Sequence, residues 1–194
     1  MARDGYHHGD LRSALLDAAR EIVATRGPGA VSLRDLAKAL AVSPAAPYRH
    51  FPDRQALLDE IAAQGFAQLC LDYAKASELA DPAAALRATG RAYLSLAFER
   101  PGLFKLMFES DLLGPQSPAG LLQLAAEAWQ ALHDAVARAN RGSSLADVKL
   151  RTITGWSVLQ GFVTIRRGGR LKDFMTDPRT DQDLIEAILD KAQA

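Results

Sequence analysis

The chain of 194 residues has one cysteine, Cys70, so no internal disulfide can staple it. It also has no net charge, because 23 basic residues balance 23 acidic ones, and bulk electrostatics alone gives it no reason to bind a polyanion. Arg, Asp or Glu interrupts every apolar stretch before it reaches the roughly 18 residues of a membrane-spanning helix. No charged segment followed by an apolar run and a cleavage site opens the chain. A cytoplasmic protein with no membrane partner is therefore expected. Catalytic signatures are missing as well. There is no G-x-S-x-G elbow, no glycine-rich phosphate loop and no H-E-x-x-H, and no glutamate has a histidine three residues later as a di-metal bundle requires. A non-enzyme without cofactor or metal is the expectation.

What is present is helical periodicity, in a chain whose apolar fraction of 48% suffices for a core. Leu11, Leu15, Ala18 and Ile22 mark one face of an amphipathic helix that starts beside Asp10 and stops at Gly27-Pro28-Gly29. Ser32 then caps a two-turn helix bearing Leu33, Leu36, Ala37 and Leu40. After Ala41-Val42, Ser43-Pro44 repeats the start signal and predicts a third helix to about Phe51. Pro52-Asp53 opens a fourth through Leu57, Leu58, Ile61 and Phe66. Later helices are expected from Asp81-Pro82, over Leu103–Phe108, over about Ala119–Asn140 and Leu145–Arg167, and from about Asp181 to Lys191. The reading is an all-α fold of about nine helices. The break between the second and third is of the length used by helix-turn-helix units.

That break falls where the charge is uneven. Residues 1–54 carry eight basic and six acidic groups, and the remainder carries an acidic excess of two. In a helix-turn-helix the second helix enters the major groove. The residue types from Ser32 to Arg54 suit that task. Ser32, Ser43 and Pro44 place hydroxyls and helix starts where phosphate can sit. Arg34 and Arg49 supply cations. Ala45 and Ala46 are small enough for close approach to thymine methyls, Tyr48 and His50 add donors, and Arg54 opens the next helix as a further phosphate contact.

These residues also carry a resemblance. Arg12 to Arg54, above all Leu36-Ala37, Val42-Ser43, Tyr48-Arg49-His50-Phe51 and Leu57-Leu58, resembles the N-terminal DNA-binding domain of TetR-family transcriptional regulators. The resemblance implies a helix-turn-helix domain over 1–54 and a ligand-binding and dimerisation domain over 55–194. It further implies a double-stranded DNA operator, a homodimer and a small-molecule effector that releases a repressor. The entry around Tyr6 and the later Trp156 and Gly161 resemble the branch named for a Trp-His-Gly motif, with Gln160 in place of the histidine. Ala41 stands where the family commonly has glycine, and Pro47 lies one turn into the recognition helix.

Several residues have two readings. Tyr48 either meets phosphate or packs, and Arg49 is a DNA contact or a solvated charge. His7 and His8 read better as an arm than as metal ligands. Arg166, Arg167 and Arg170 with Gly168-Gly169 fit a helix C-terminus, and Cys70 fits a small buried hydrophobe. Tyr93, Phe104, Met107, Phe108, Trp129 and Trp156 either build the core of the C-terminal bundle or line its effector cavity. A bundle serving dimerisation alone, without an inducer, is the alternative.

Overall fold

The computed structural model describes residues 8–110, 114, 116–176 and 180–193. Among them every regular element is helical, close to the expected number: α1 (His8–Arg26), α2 (Leu33–Ala39), α3 (Arg54–Ser77), α4 (Pro82–Glu99), α5 (Pro101–Phe108), α6 (Ala119–Ala139), α7 (Leu145–Arg167), the single turn α8 (Asp173–Thr176) and α9 (Asp181–Gln193). Two 3-10 turns, Pro28–Ala30 and Pro47–Arg49, complete the order. No helix among the described residues is long and apolar enough to cross a membrane.

The chain divides into two compact units. The first comprises residues up to Phe66 together with Arg100–Gln123, and the second comprises Ala67–Glu99 with Leu124 onward. The first unit thus takes in the start of α3 and, through α5, a piece from later in the chain. Pro101 starts that helix, and Gly102 lets it approach α1 so closely that a Cβ would collide with the Val23 carbonyl. Its apolar side chains Phe104, Leu106 and Met107 are buried in the same unit as Leu15, Ala19, Val23, Leu36 and Leu57. Arg12 closes α1 against α3 by lying 5.1 Å over the Phe51 ring while Nη1 donates to Glu60 at 2.8 Å.

The end of α2 holds the strained point expected at Ala41. The Val42 N–H bonds the Ala37 carbonyl at 3.0 Å and the Ala41 N–H bonds the Lys38 carbonyl at 3.2 Å, the Schellman pattern that needs a left-handed residue at Ala41. Ala41 complies, with φ of 53°. The end of α7 makes the same two bonds, from Arg170 to Ile165 and from Gly169 to Arg166, but there the left-handed residue is Gly169. Alanine is held left-handed at a cost of about 1–2 kcal/mol, partly offset by glycine's greater unfolded freedom. Ala41→Gly is expected to stabilise the protein by about 0.5–1 kcal/mol, read as a higher midpoint in urea with an unchanged slope.

The third helix needs correction. From Ser43 to Phe51 the chain makes turns and a 3-10 segment instead of an α-helix. Pro47 has no N–H to bond Ser43, so the Ser43 carbonyl accepts from Ala46 at 2.9 Å, and Arg49 and His50 likewise bond three residues back. The segment keeps its place because Pro47 and Phe51 are buried beneath it.

In the second unit α4, α7 and α9 bury Tyr93, Leu94, Ala97, Leu159, Val163 and Leu189. The basic cluster ending α7 behaves as a helix terminus, with Arg166 lying 4.6 Å over the Phe98 ring. Arg91 and Arg87 on α4 reach Glu186 on α9 at 2.6 and 2.9 Å. Hydrogen bonding from Arg91, then the charges of both arginines, holds the Glu186 carboxyl below its ordinary range. A lowered carboxyl stabilises above its unfolded value and loses that contribution as pH falls through the folded one. Acidification below the ordinary carboxylate range should therefore speed amide exchange in α9 before the buried segments of α4 and α7.

Candidate nucleic-acid interface

The candidate site is built on the first unit, where a buried underside presents a polar outer edge. Ser43, Pro44, Ala45 and Arg49 are exposed, Tyr48 is 52% exposed, and Ala46 and His50 are half-buried. Because Pro47 and Phe51 anchor the segment from below, these side chains stand outward without a hydrophobic reason to fold back. The Ser32 Oγ accepts the Asp35 N–H at 3.3 Å and so caps α2, and Arg34 is exposed on its first turn. The arrangement offers a hydroxyl edge, a phenol and two cations on one short stretch, donors suited to phosphate oxygens and base edges.

Arg54 is placed differently. Its Nε donates to the Val31 carbonyl at 2.9 Å and Nη2 to the Pro28 carbonyl at 2.6 Å. It braces the loop that leads into α2. The spacing that suggested a phosphate contact gave no hint of this role, because the partners are backbone carbonyls more than twenty residues away. The clasp of Arg12 with Phe51 and Glu60 likewise joins side chains far apart in the sequence, which no local spacing records. Arg3, Tyr6 and His7 lie outside the described residues, and so does the side chain of His8.

The aromatic set proposed for an effector separates. Phe104 and Met107 are fully buried in the first unit, where Phe108 meets Phe66 edge-on at 5.4 Å. Tyr93, Trp129 and Trp156 lie in the second unit. The Tyr93 hydroxyl donates to the Gln160 Oε1 and accepts from the Trp156 Nε1 at 3.1 Å, so the phenol has its partners within the chain. Gln160 thus supplies an acceptor at the position where the resembling branch has histidine. Trp129 meets Trp156 edge-on at 6.1 Å. Beside them lies a cavity of about 30 Å³ whose wall includes Tyr73, Tyr93, Thr152 and Trp156. Tyr73, absent from the sequence reading, is buried, and burial raises its phenol above the ordinary value. The Cys70 thiol is half-buried and is likewise raised by burial, which lowers its reactivity.

The family model for bacterial regulatory proteins of the tetR family matches residues 15–61, and the model described as a tetracyclin repressor-like C-terminal domain matches residues 86–192. Among solved structures, a protein of unknown function from Rhodococcus sp. RHA1 is 29% identical, with a TM-score of 0.79 over 98% of this chain and 95% of that one. The TetR family transcriptional regulator PfmR from Thermus thermophilus is 25% identical, with a TM-score of 0.68 over 92% and 96%. AibR, solved in complex with isovaleryl coenzyme A and operator DNA, is 20% identical with a TM-score of 0.66 over 93% and 95%. No curated protein matches the chain.

Proposed function

The chain belongs to the tetR family of bacterial regulatory proteins, and from that premise we propose that this DNA-binding transcriptional regulator is a repressor. It acts as a homodimer on a near-palindromic operator and is released by a small apolar or amphipathic effector. The observation that carries the DNA reading is the exposed edge from Ser43 to Arg49 above buried Pro47 and Phe51. Ser32, Arg34, Ser43, Tyr48 and His50 grip phosphate, Pro44, Ala45 and Ala46 approach base edges, and Arg49 reaches a phosphate or a base. Two such edges must enter major grooves about 34 Å apart on one face of the duplex.

Dimerisation is supported by the outer face of α7. Leu150 is 64% and Ile153 50% exposed, and Ser157, Gly161 and Thr164 continue the same helical face. A Cβ at Gly161 would meet no atom within 4 Å, so nothing in its own chain requires glycine there. Large apolar residues followed by small ones suit close packing against a second copy of the helix.

The effector reading rests on the relative AibR, solved with both isovaleryl coenzyme A and operator DNA. A cavity of about 30 Å³ is far below the several hundred Å³ that drug-sized ligands occupy. The effector therefore binds a repacked bundle, and its preference for that state over the present one is what lowers operator affinity. The same small cavity favours the second reading, a bundle that serves dimerisation alone. A mobility-shift assay on the DNA upstream of its own gene, with a thermal-shift screen of apolar metabolites, tests both parts. Sequence-specific retardation and a ligand that stabilises the protein and releases the DNA are expected. Retardation with no such ligand would leave the dimerisation-only reading, and no retardation would remove the proposal.

A further inference from the structure

A cleft of about 530 Å³ lies wholly within the first unit, a size that suits a small organic molecule. Its wall includes Arg54, Gln55 and Asp59 from α3, Leu106 and Ser110 at the end of α5, and Gln116. We infer that this cleft binds a small organic amine, its ammonium seated on the Asp59 carboxylate. This is a site additional to the effector binding proposed above, and it is independent of it.

Asp59 is only 8% exposed, yet no cation pairs with it among the described residues. Its Oδ1 accepts from the Gln55 side chain at 2.8 Å, and no described group donates to its Oδ2. The Oδ2 is not sealed from solvent, so it stays open to an incoming donor, and burial together with the charge of Asp53 raises the carboxyl above its ordinary value. Arg54 does not relieve it, because two of its nitrogens already hold the carbonyls of Val31 and Pro28. The end of α5 adds the negative pole of a helix, with the Leu106 carbonyl taking the Ser110 hydroxyl. No three His, Cys, Asp or Glu side chains gather there among the described residues, so a metal ion finds too few ligands. A cationic amine meets each condition. It supplies the missing counter-charge, and the hydroxyl and amide groups of Ser110 and Gln116 accept its remaining N–H bonds. Because Pro28 and Arg54 form part of the wall and also brace the entry to α2, an occupant bears on the presentation of the DNA-binding edge.

Titration calorimetry on the full chain with putrescine and spermidine, and with butane-1,4-diol as the uncharged control, tests the inference without requiring DNA. Saturable binding of an amine and none of the diol is expected. Asp59→Asn should weaken the amine by at least about tenfold, the loss of one charge-assisted contact. Gly29, also on the wall, has no atom within 4 Å of a built Cβ, so Gly29→Leu narrows the cleft without strain and should weaken binding while keeping Asp59. Absence of saturable amine binding at millimolar concentration, equal binding by the diol, or undiminished affinity in Asp59→Asn would each overturn the inference.

Discussion

Replacing Tyr48 and Arg49 together by alanine is expected to weaken operator binding by about a hundredfold or more, on the basis that each well-placed contact contributes about 1–3 kcal/mol. The fold should not notice. Both side chains are exposed, they stand above an anchor made by Pro47 and Phe51, and surface replacements of this kind usually change stability by less than about 0.5 kcal/mol. The salt dependence separates the two ways in which Arg49 can act. If it neutralises a phosphate, the slope of log affinity against log salt becomes shallower by about one for the single variant Arg49→Ala. If it reads a base edge, the slope changes less and the variant instead tolerates a changed base pair at one position of the operator. Fluorescence anisotropy over a series of salt concentrations measures both quantities. Unchanged affinity in the double variant would place the DNA contact elsewhere in the molecule.

Ile153→Glu should have a larger effect still, and by another route. Ile153 is half exposed in the single chain, so a carboxylate there is tolerated by the monomer, whereas in a face packed against its own copy two charges would meet in an apolar contact. If α7 forms the proposed interface, light scattering is expected to show a dimer for the wild type and a monomer for the variant. With a dimer would go the coupling of two half-site contacts, and operator affinity should fall by about 10²–10⁴-fold although every side chain of the proposed DNA edge is intact. Gly161→Leu offers a steric version of the same test at a position where the chain itself leaves open space. A variant that remains dimeric in both substitutions would assign the interface to another face.

Much of this organisation is legible in the residues because it is local. Caps, proline starts and apolar spacing mark the helices, and Ser32 accepts the N–H three residues on as its cap signal promises. The left-handed turn at Ala41 is hinted at by the glycine that the resembling family commonly has there. The form of the recognition segment was readable only in part. Pro47 announces a missing N–H, but whether the chain then bends or retightens into a 3-10 turn depends on Pro47 and Phe51 being drawn into the core. Long-range partners were not legible at all. Nothing near Arg54 in the sequence announces its bonds to the carbonyls of Pro28 and Val31, and nothing near Tyr93 announces its bonds to Gln160 and Trp156. The grouping of α5 with the first unit depends on the backbone approach at Gly102, which no periodicity records.

The central claim, that the Ser43–Arg49 edge stands outward and enters duplex DNA, is tested most directly by labelling a thiol placed on it. Ala45→Cys in a Cys70→Ala background exposes one cysteine at the middle of the edge. With the duplex that the protein enriches from a random pool, maleimide labelling should be fast in the free protein and blocked at saturating DNA, while an unrelated duplex protects it weakly. Slow labelling of the free protein, or labelling that saturating operator leaves unchanged, would contradict the account.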